Sequence, residues 1–261
     1  MATELPIFQV DAFTSRRFAG NPAAVVVLPE WLPDDVLLAI ANENNLSETA
    51  FVRPEGGAFG LRWFTPTVEM DLCGHATLAA AHVLLTHGWA DGPVVEFRAG
   101  VGPLTVRREG ELLSMDFPSR PPTPVPIDVA LVRALGATPT EVHAARDLLA
   151  VFRTEAEVGS LRPDIAAVAA LDTHAVIVTA PGEACDFVSR FFAPGSGVPE
   201  DPVTGSAHCT LIPYWSRRLG KRTLSARQIS HRGGELVCED RGARVGIAGR
   251  VTDYLRGTIT V

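Results

Sequence analysis

The sequence predicts an α+β protein built from two similar domains. Each half of the chain shows many short strand patterns around one long apolar helix. The helix of the first half is predicted at Gly74–His87 and that of the second at about Ser206–Leu219, and a glycine follows each of them. At 261 residues the chain is long enough for two domains, each with a core of its own.

In the first half, alternation of apolar and polar residues predicts strands on both sides of the long helix. Residues 33–42 carry apolar side chains at helical spacing, and the Asn-rich turn at 44–47 ends that helix. Glu48 is therefore expected to begin a strand. The predicted strands are Ile7–Phe13, Ala23–Leu28, Glu48–Val52, Gly60–Phe64, Val94–Arg98, Leu104–Arg108 and Leu112–Phe117.

A proline-rich segment separates the two halves. Residues 118–126 contain five prolines, which disfavour both helix and ladder and so predict an extended connector. We place the domain boundary there: residues 1–117, completed by the last strand at about 250–261, form the N-terminal domain, and residues 118–249 form the C-terminal domain. Residues 193–202 are expected to be a loop. The other predicted elements are a helix at Val129–Leu135 and strands at Asp147–Val151, His174–Thr179, Phe187–Phe192, Gln228–Arg232, Glu235–Asp240, Ala243–Ala248 and Leu255–Val261.

Composition argues against several classes of partner. The net charge is −7 and no dense basic cluster stands out beyond Lys221–Arg222, so a nucleic-acid partner is not expected. No apolar run reaches the length of a membrane span and no secretory signal pattern is present, which favours a cytoplasmic protein without a membrane partner. The four cysteines are scattered without metal-binding spacing, so reduced thiols and no metal are expected. A small-molecule ligand is the favoured partner.

Two look-alike segments, Asp71–Leu78 and Pro202–Cys209, lie where the two long helices are predicted to begin. In each, a glycine is followed by a hydrogen-bonding residue and an alanine. A helix N-terminus offers unpaired backbone N–H groups and partial positive charge, and therefore attracts anions. The two segments predict a matched pair of helix ends able to hold a carboxylate-bearing molecule.

Glu48 and His75 are the first candidates for chemistry. A carboxylate at the start of a half-buried strand can point into a cleft, where loss of water raises its pKa toward neutrality. The alternative for Glu48 is an ordinary surface glutamate. His75 follows Gly74 at the helix N-terminus, where the dipole favours a neutral imidazole. A neutral imidazole can donate a hydrogen bond to a carboxylate, although a simple role near the helix cap is equally compatible with this position.

Three more side chains lie at the two helix starts. Asp201 precedes the second helix and Ser206 follows Gly205, but aspartate and serine are also ordinary capping residues. Cys73 precedes Gly74, and a thiol at a helix N-terminus is expected to have a lowered pKa. When Gly74 is aligned with Gly205, the partner of Cys73 is Thr204, so a mechanism with two thiols is disfavoured.

The motifs resemble those of the PhzF-like, or phenazine biosynthesis-like, family of the diaminopimelate-epimerase-like fold. The resemblance covers essentially the whole chain. The segments that carry it are Phe8–Phe13, Phe18–Val25, Asn45–Phe51, Arg62–Pro66, Cys73–Thr77, Glu200–His208 and Arg232–Leu236.

This resemblance implies two pseudo-symmetric domains, each with strands curved around a central helix, a site in the cleft between them, and a homodimer. It also implies a cofactor-free isomerase. In the family's best-understood member the substrate is trans-2,3-dihydro-3-hydroxyanthranilate, and a glutamate that corresponds to Glu48 moves a proton between ring carbons. By the same resemblance, His75, Asp201 and Ser206, with backbone at Gly74 and Gly205, hold the substrate and assist proton movement.

Two alternatives stay open from the sequence. One is an amino-acid racemase or epimerase that uses Glu48 and Cys73. The other is a binding protein that keeps the fold without turnover. No Gly-rich phosphate loop is seen, so no nucleotide cofactor is expected.

Overall fold

The computed structural model describes residues 3–261 and divides them into two compact units. Unit 1 contains the described residues up to Asp116 together with Ala248–Val261, and unit 2 is Phe117–Ile247. The helices are α1 Asp34–Asn44, α2 Gly74–Thr86, α3 Val129–Leu135, α4 Glu155–Ser160, α5 Ile165–Ala169 and α6 Gly205–Leu219, with a short 3₁₀ turn at Pro194–Ser196. The strands are β1 Glu4–Ala12, β2 Asn21–Val27, β3 Glu48–Glu55, β4 Ala58–Phe64, β5 Glu69–Met70, β6 Val94–Ala99, β7 Gly102–Glu109, β8 Leu112–Pro118, β9 Thr123–Val125, β10 Glu141–Ala144, β11 Leu148–Val151, β12 Val176–Pro181, β13 Phe187–Ala193, β14 Val198–Asp201, β15 Thr223–Gln228, β16 Gly234–Asp240, β17 Arg244–Gly249 and β18 Val251–Thr260.

Unit 1 places helix α2 against the strands that carry the site. Strand β1 lies between β18 and β2, antiparallel to both, and β3 runs parallel to β2. Helix α2 packs on β1, β2 and β3, and most of its side chains are buried, as its apolar sequence predicts. The first turn of α2 is thereby fixed relative to the start of β3.

In unit 2, helix α6 has the corresponding place. Strand β11 is parallel to β12, β12 is antiparallel to β13, and β13 is parallel to β15, which pairs with β16. Helix α6 packs on β15 and β16 and is buried along its first three turns. It ends at Gly220, whose φ of 65° is the left-handed conformation that a helix-ending glycine adopts.

Three expectations from the sequence are wrong. The proline segment forms strand β9, in which Pro124 pairs with His143. Proline's fixed φ suits an extended chain and its carbonyl still accepts, so one proline is tolerated in a three-residue strand. The expected loop at 193–202 contains β14, and the expected strand at 228–232 is displaced: β15 ends at Gln228 and a turn follows.

Three short elements of unit 2, β10, α4 and α5, have no counterpart among the predicted elements. Each has six residues or fewer, too short for a periodic pattern to stand out. No helix among residues 3–261 combines the length and the apolar character needed to cross a bilayer.

Candidate active site

Glu48 lies at the first position of β3, directly after the turn that ends α1. Asn45 closes α1 in the left-handed conformation, with φ of 48°, a backbone geometry that asparagine tolerates. In the parallel ladder Glu48 is opposite Ala23, two residues after Asn21 on β2. Because side chains alternate along a strand, Glu48 and Asn21 share one face of the sheet.

His75 lies in the first turn of α2 and faces that same group. Its Nε2 atom lies 3.1 Å from Oε2 of Glu48, and its Nδ1 atom lies 3.3 Å from the amide nitrogen of Asn21. The side chain of His75 is 7% exposed and that of Glu48 is 14% exposed. Glu48 and His75 therefore form a nearly buried acid–base pair within unit 1.

Cys73 completes the group on the other side of the imidazole ring. It is the N-cap residue of α2, and its Sγ atom lies 3.4 Å from Nδ1 of His75. Opposite nitrogens of one ring thus face Cys73 and Glu48, an arrangement that connects thiol, imidazole and carboxylate in a row. Asn21, which the sequence analysis passed over, contacts this row because Gly20 precedes it. At Gly20, φ is +68° and a Cβ would lie 2.2 Å from the carbonyl oxygen of Ala12.

The ionisation of this group differs from the expectation for a helix N-terminus. Burial alone lowers the pKa of His75, but the contacts with Cys73 and the carboxylate of Glu48 outweigh it, and the pKa is raised well above 6.5. The predicted neutral imidazole is therefore wrong. Burial also raises the pKa of the Cys73 thiol, with a further contribution from Glu48. The predicted lowering of the Cys73 pKa by the helix dipole is wrong for the same reason: tertiary contacts dominate over the dipole.

Among residues 3–261, these same three side chains are the one group of histidine, cysteine and acidic residues whose ligand atoms lie within 4.8 Å of one another. Sulfur, nitrogen and oxygen donors of this kind suit a transition metal. However, Cys73 and Glu48 face different nitrogens of His75, which favours proton transfer along the row over ligation of one central ion.

In unit 2, Asp201 is the last residue of β14, and the loop 202–204 joins it to α6. The N-cap of α6 is Thr204, at the position that aligns with Cys73, and its backbone is extended in the same way. The Thr204 hydroxyl does not cap the helix. Instead it donates a hydrogen bond to Oδ2 of Asp201. Ser206 is half-buried at the second position of α6. Neither Asp201 nor Ser206 is therefore the N-cap residue, which was the alternative interpretation of these two side chains.

Two side chains that sequence reasoning missed hold this loop. Gln228, fully buried at the end of β15, bonds to the backbone and the hydroxyl of Thr204 and to the carbonyl of Asp201. Arg190 on β13 donates to both carboxylate oxygens of Glu200, the neighbour of Asp201, at 2.7 and 3.0 Å. No sequence signal marks these contacts, because each joins residues far apart along the chain.

The structure thus gathers the predicted residues within each unit. Glu48, Gly74 and His75 lie together in unit 1, with Cys73 and Asn21 beside them. Asp201, Gly205 and Ser206 lie at the start of α6 in unit 2.

The chain is similar to known proteins over nearly its whole length. The sequence profile of a family described as phenazine biosynthesis-like protein matches residues 10–257. An uncharacterized isomerase of Pseudomonas aeruginosa, PA3578, is 54% identical over 257 residues, covering 98% of each chain. A crystal structure of a phenazine biosynthesis protein of the PhzF family from Enterococcus faecalis superposes with a TM-score of 0.97 at 47% identity, covering 99% of this chain and 100% of that one.

A more distant likeness concerns the fold alone. A hydroxyproline epimerase from Agrobacterium vitis superposes with a TM-score of 0.62 at 11% identity, covering 99% of this chain and 93% of that one. The expected diaminopimelate-epimerase-like class of fold, α+β with strands and central helices, is confirmed by these neighbours.

The chain belongs to the phenazine biosynthesis-like family. Within that family it is an isomerase, which is the activity named for three of its bacterial relatives.

Proposed function

We propose that this protein moves a proton between two carbons of a small carboxylate-bearing substrate, with Glu48 as the base that takes and returns the proton. The observation that carries the proposal is the buried contact between Glu48 and His75, 3.1 Å apart. A proton that moves between carbons needs one well-placed base and shielding from water, since an exposed base exchanges its proton with solvent.

His75 supplies the second half of this proposal. While Glu48 is ionised, its charge supports the protonated imidazole and raises the pKa of His75. Once Glu48 has taken a proton from carbon, that support disappears and the imidazolium becomes the stronger acid. The pair can therefore accept a proton at one atom and make another available to a developing enolate.

Asp201 and Ser206 take part in the same reaction as orienting and proton-relaying groups, and the backbone at Gly74 and Gly205 receives substrate oxygens. Support comes from the two helix N-termini, since both α2 and α6 begin at these glycines without a side-chain cap. Their free N–H groups are suited to carboxylate oxygens. We further propose a homodimer working in the cytoplasm without metal or cofactor, as the family resemblance implies.

The test is conversion of small carboxylic acids into their isomers, followed by NMR in H₂O and in D₂O and starting from trans-2,3-dihydro-3-hydroxyanthranilate. We expect turnover with the unchanged protein and a loss of about 100-fold or more in Glu48→Gln, because removal of a general base costs at least this factor. Glu55→Gln is the matched control, since Glu55 lies on the same strand and pairs with Arg53.

Full turnover in Glu48→Gln would remove Glu48 from the chemistry. A ligand that binds without being converted to an isomer would instead indicate the binding protein that the sequence left open.

A further inference from the structure

The segment from Asp201 to Thr204 makes three hydrogen bonds with one buried side-chain amide, that of Gln228. Oε1 of Gln228 accepts the backbone N–H of Thr204 at 2.9 Å. Nε2 of the same side chain donates to the carbonyl oxygen of Asp201 at 2.7 Å and to the hydroxyl of Thr204 at 3.1 Å. Gln228 is 0% exposed. All three bonds end on Asp201, the last residue of β14, or on Thr204, the N-cap residue of α6.

These bonds continue to the carboxylate of Asp201. The Thr204 hydroxyl accepts from Gln228 and donates to Oδ2 of Asp201, so amide, hydroxyl and carboxylate form one directed chain. Hydrogen bonds in such a chain polarise one another, and a carboxylate strengthens them further. The rotamer of Asp201 is therefore tied to the position of Gln228.

The rest of Thr204 is fixed as well. Its carbonyl oxygen accepts from Nδ1 of the buried His208 at 2.8 Å, and the neighbouring Pro202 carbonyl accepts from the Ser230 hydroxyl at 2.8 Å. The N–H, hydroxyl and carbonyl of Thr204 each have a partner, and Gln228 bonds to two of these three groups.

We propose that Gln228 is a positioning residue of the reaction: through Thr204 it fixes the Asp201 carboxylate in its working orientation. The inference rests on the proposed role of Asp201. A catalytic group displaced by about 1 Å can lose as much as about 100-fold in rate. Gln228 itself touches no substrate in this account.

The first variant is Gln228→Leu, which keeps the approximate volume and removes all three bonds. We expect kcat to fall by about 10- to 100-fold, with KM changing much less, because the misplaced group acts during proton transfer. Thr179→Val is the control. The Thr179 hydroxyl donates to the carbonyl oxygen of Val188 and accepts from Trp215, so this variant also removes buried hydrogen bonds in unit 2 without touching the loop.

The second variant, Gln228→Glu, gives a readout that mere destabilisation does not. A protonated glutamate can still accept from the Thr204 N–H and donate an O–H to the loop, whereas the ionised form loses the donor and repels Asp201. Burial raises the pKa of such a carboxyl group. We expect Gln228→Glu to approach the unchanged protein at acidic pH and to lose activity as pH rises, while Gln228→Leu is slow throughout.

Hydrogen exchange of the substrate-free protein separates this inference from the proposed function. The Thr204 amide, which Gln228 protects, should exchange faster in Gln228→Leu and at an unchanged rate in Thr179→Val and Glu48→Gln. The inference is overturned when Gln228→Leu exchanges at the rate of the unchanged protein, or when its kcat equals that of Thr179→Val. Full turnover in Glu48→Gln would overturn the proposed chemistry alone, and the exchange rate would still decide whether Gln228 orders the loop.

Discussion

The Nε2 atom of His75 lies 3.1 Å from Oε2 of Glu48, and both side chains are almost removed from solvent. At this distance the carboxylate of Glu48 favours the protonated imidazole and raises the pKa of His75, because little water is present to screen the charge. The pair links the start of β3 to the first turn of α2. It therefore contributes both to the stability of unit 1 and to the proposed chemistry.

The first prediction concerns this pair and pH. The pKa of His75 in the folded protein is raised above the usual 6.5, so the folded state binds the imidazole proton more tightly than the unfolded state. Its contribution to stability is then fully present below about pH 6.5 and is lost as pH rises through the higher folded value. We expect His75→Gln to lower the free energy of unfolding by about 3 kcal/mol at pH 6, and by less at pH 9.

Denaturant titrations at several pH values measure this difference. His231→Gln, a change at an exposed turn position, is the control and should show no such trend. A deficit in His75→Gln that stays constant or widens with pH would contradict the raised pKa.

The second prediction concerns acid sensitivity at His208. Burial lowers the pKa of His208 to about 4, so folding favours its neutral form. The sign is opposite to that of His75: stability is lost as pH falls from about 6.5 toward 4. The loss is on the order of 3 kcal/mol when the pKa difference is converted to free energy.

Replacement of His208 by glutamine should remove part of this acid destabilisation, because the amide does not titrate. Urea unfolding at pH 7 and pH 4.5 is the measurement. The prediction fails when the two proteins lose the same free energy of unfolding between these pH values.

The third prediction concerns thiol reactivity. Among the four cysteines, Cys185 is half-buried whereas Cys73, Cys209 and Cys238 are buried. Burial raises the pKa of all four thiols, to about 11 for Cys209, so the greater exposure of Cys185 is what distinguishes it. A thiol reagent at pH 7.5 should modify Cys185 first, and Cys185→Ser should abolish that phase. A fast phase that disappeared in Cys73→Ser would instead show that the Cys73 thiol beside His75 is accessible to solvent and reactive.

The fourth prediction concerns the partly buried ion pair next to Asp201, in which the side chain of Arg190 is 10% exposed and that of Glu200 is 26% exposed. Arg190 binds both oxygens of Glu200 and also donates to the carbonyl oxygens of Val158 and Leu161. Lysine cannot reproduce this fork, so Arg190→Lys should cost about 2 to 4 kcal/mol in the free energy of unfolding.

Arg250→Lys is the matched control for Arg190→Lys. Arg250 pairs with Glu111 at the surface, where a lysine should change stability by less than about 1 kcal/mol. Equal effects of the two changes would show that burial does not set the strength of the Arg190 pair.

The helices and strands that carry the predicted site residues could be predicted from the local pattern of apolar and turn-forming residues. Glu48 begins a strand and Gly74 begins a helix, as predicted, because an Asn-rich turn and a change of hydrophobic period mark these points. Strand β14 could not be predicted in the same way. It has four residues and pairs with β13 across an irregular register, so long-range pairing defines it more than its own composition.

The residues of the candidate site likewise fall into those that local sequence predicts and those that only long-range contacts identify. Glu48, His75 and Asp201 were predicted from motif and resemblance, whereas Asn21 and Gln228 were not, since their contacts join residues distant in sequence. The direction of the His75 pKa was mispredicted for the same reason. The helix dipole is visible in the sequence, whereas the charge of Glu48 beside the ring is visible only after folding.

The pairing of β1 with β18 has a consequence for the order in which the chain folds during synthesis. Arg17 donates to the carbonyl oxygen of Asp253 across 236 positions, and β1 has β18 along one of its sides. Unit 2 is one uninterrupted stretch of chain and can complete its core while the ribosome is still working. Unit 1 begins first and is completed only after unit 2 has been made, so the strand that precedes Asn21 must wait for β18 before its sheet is closed.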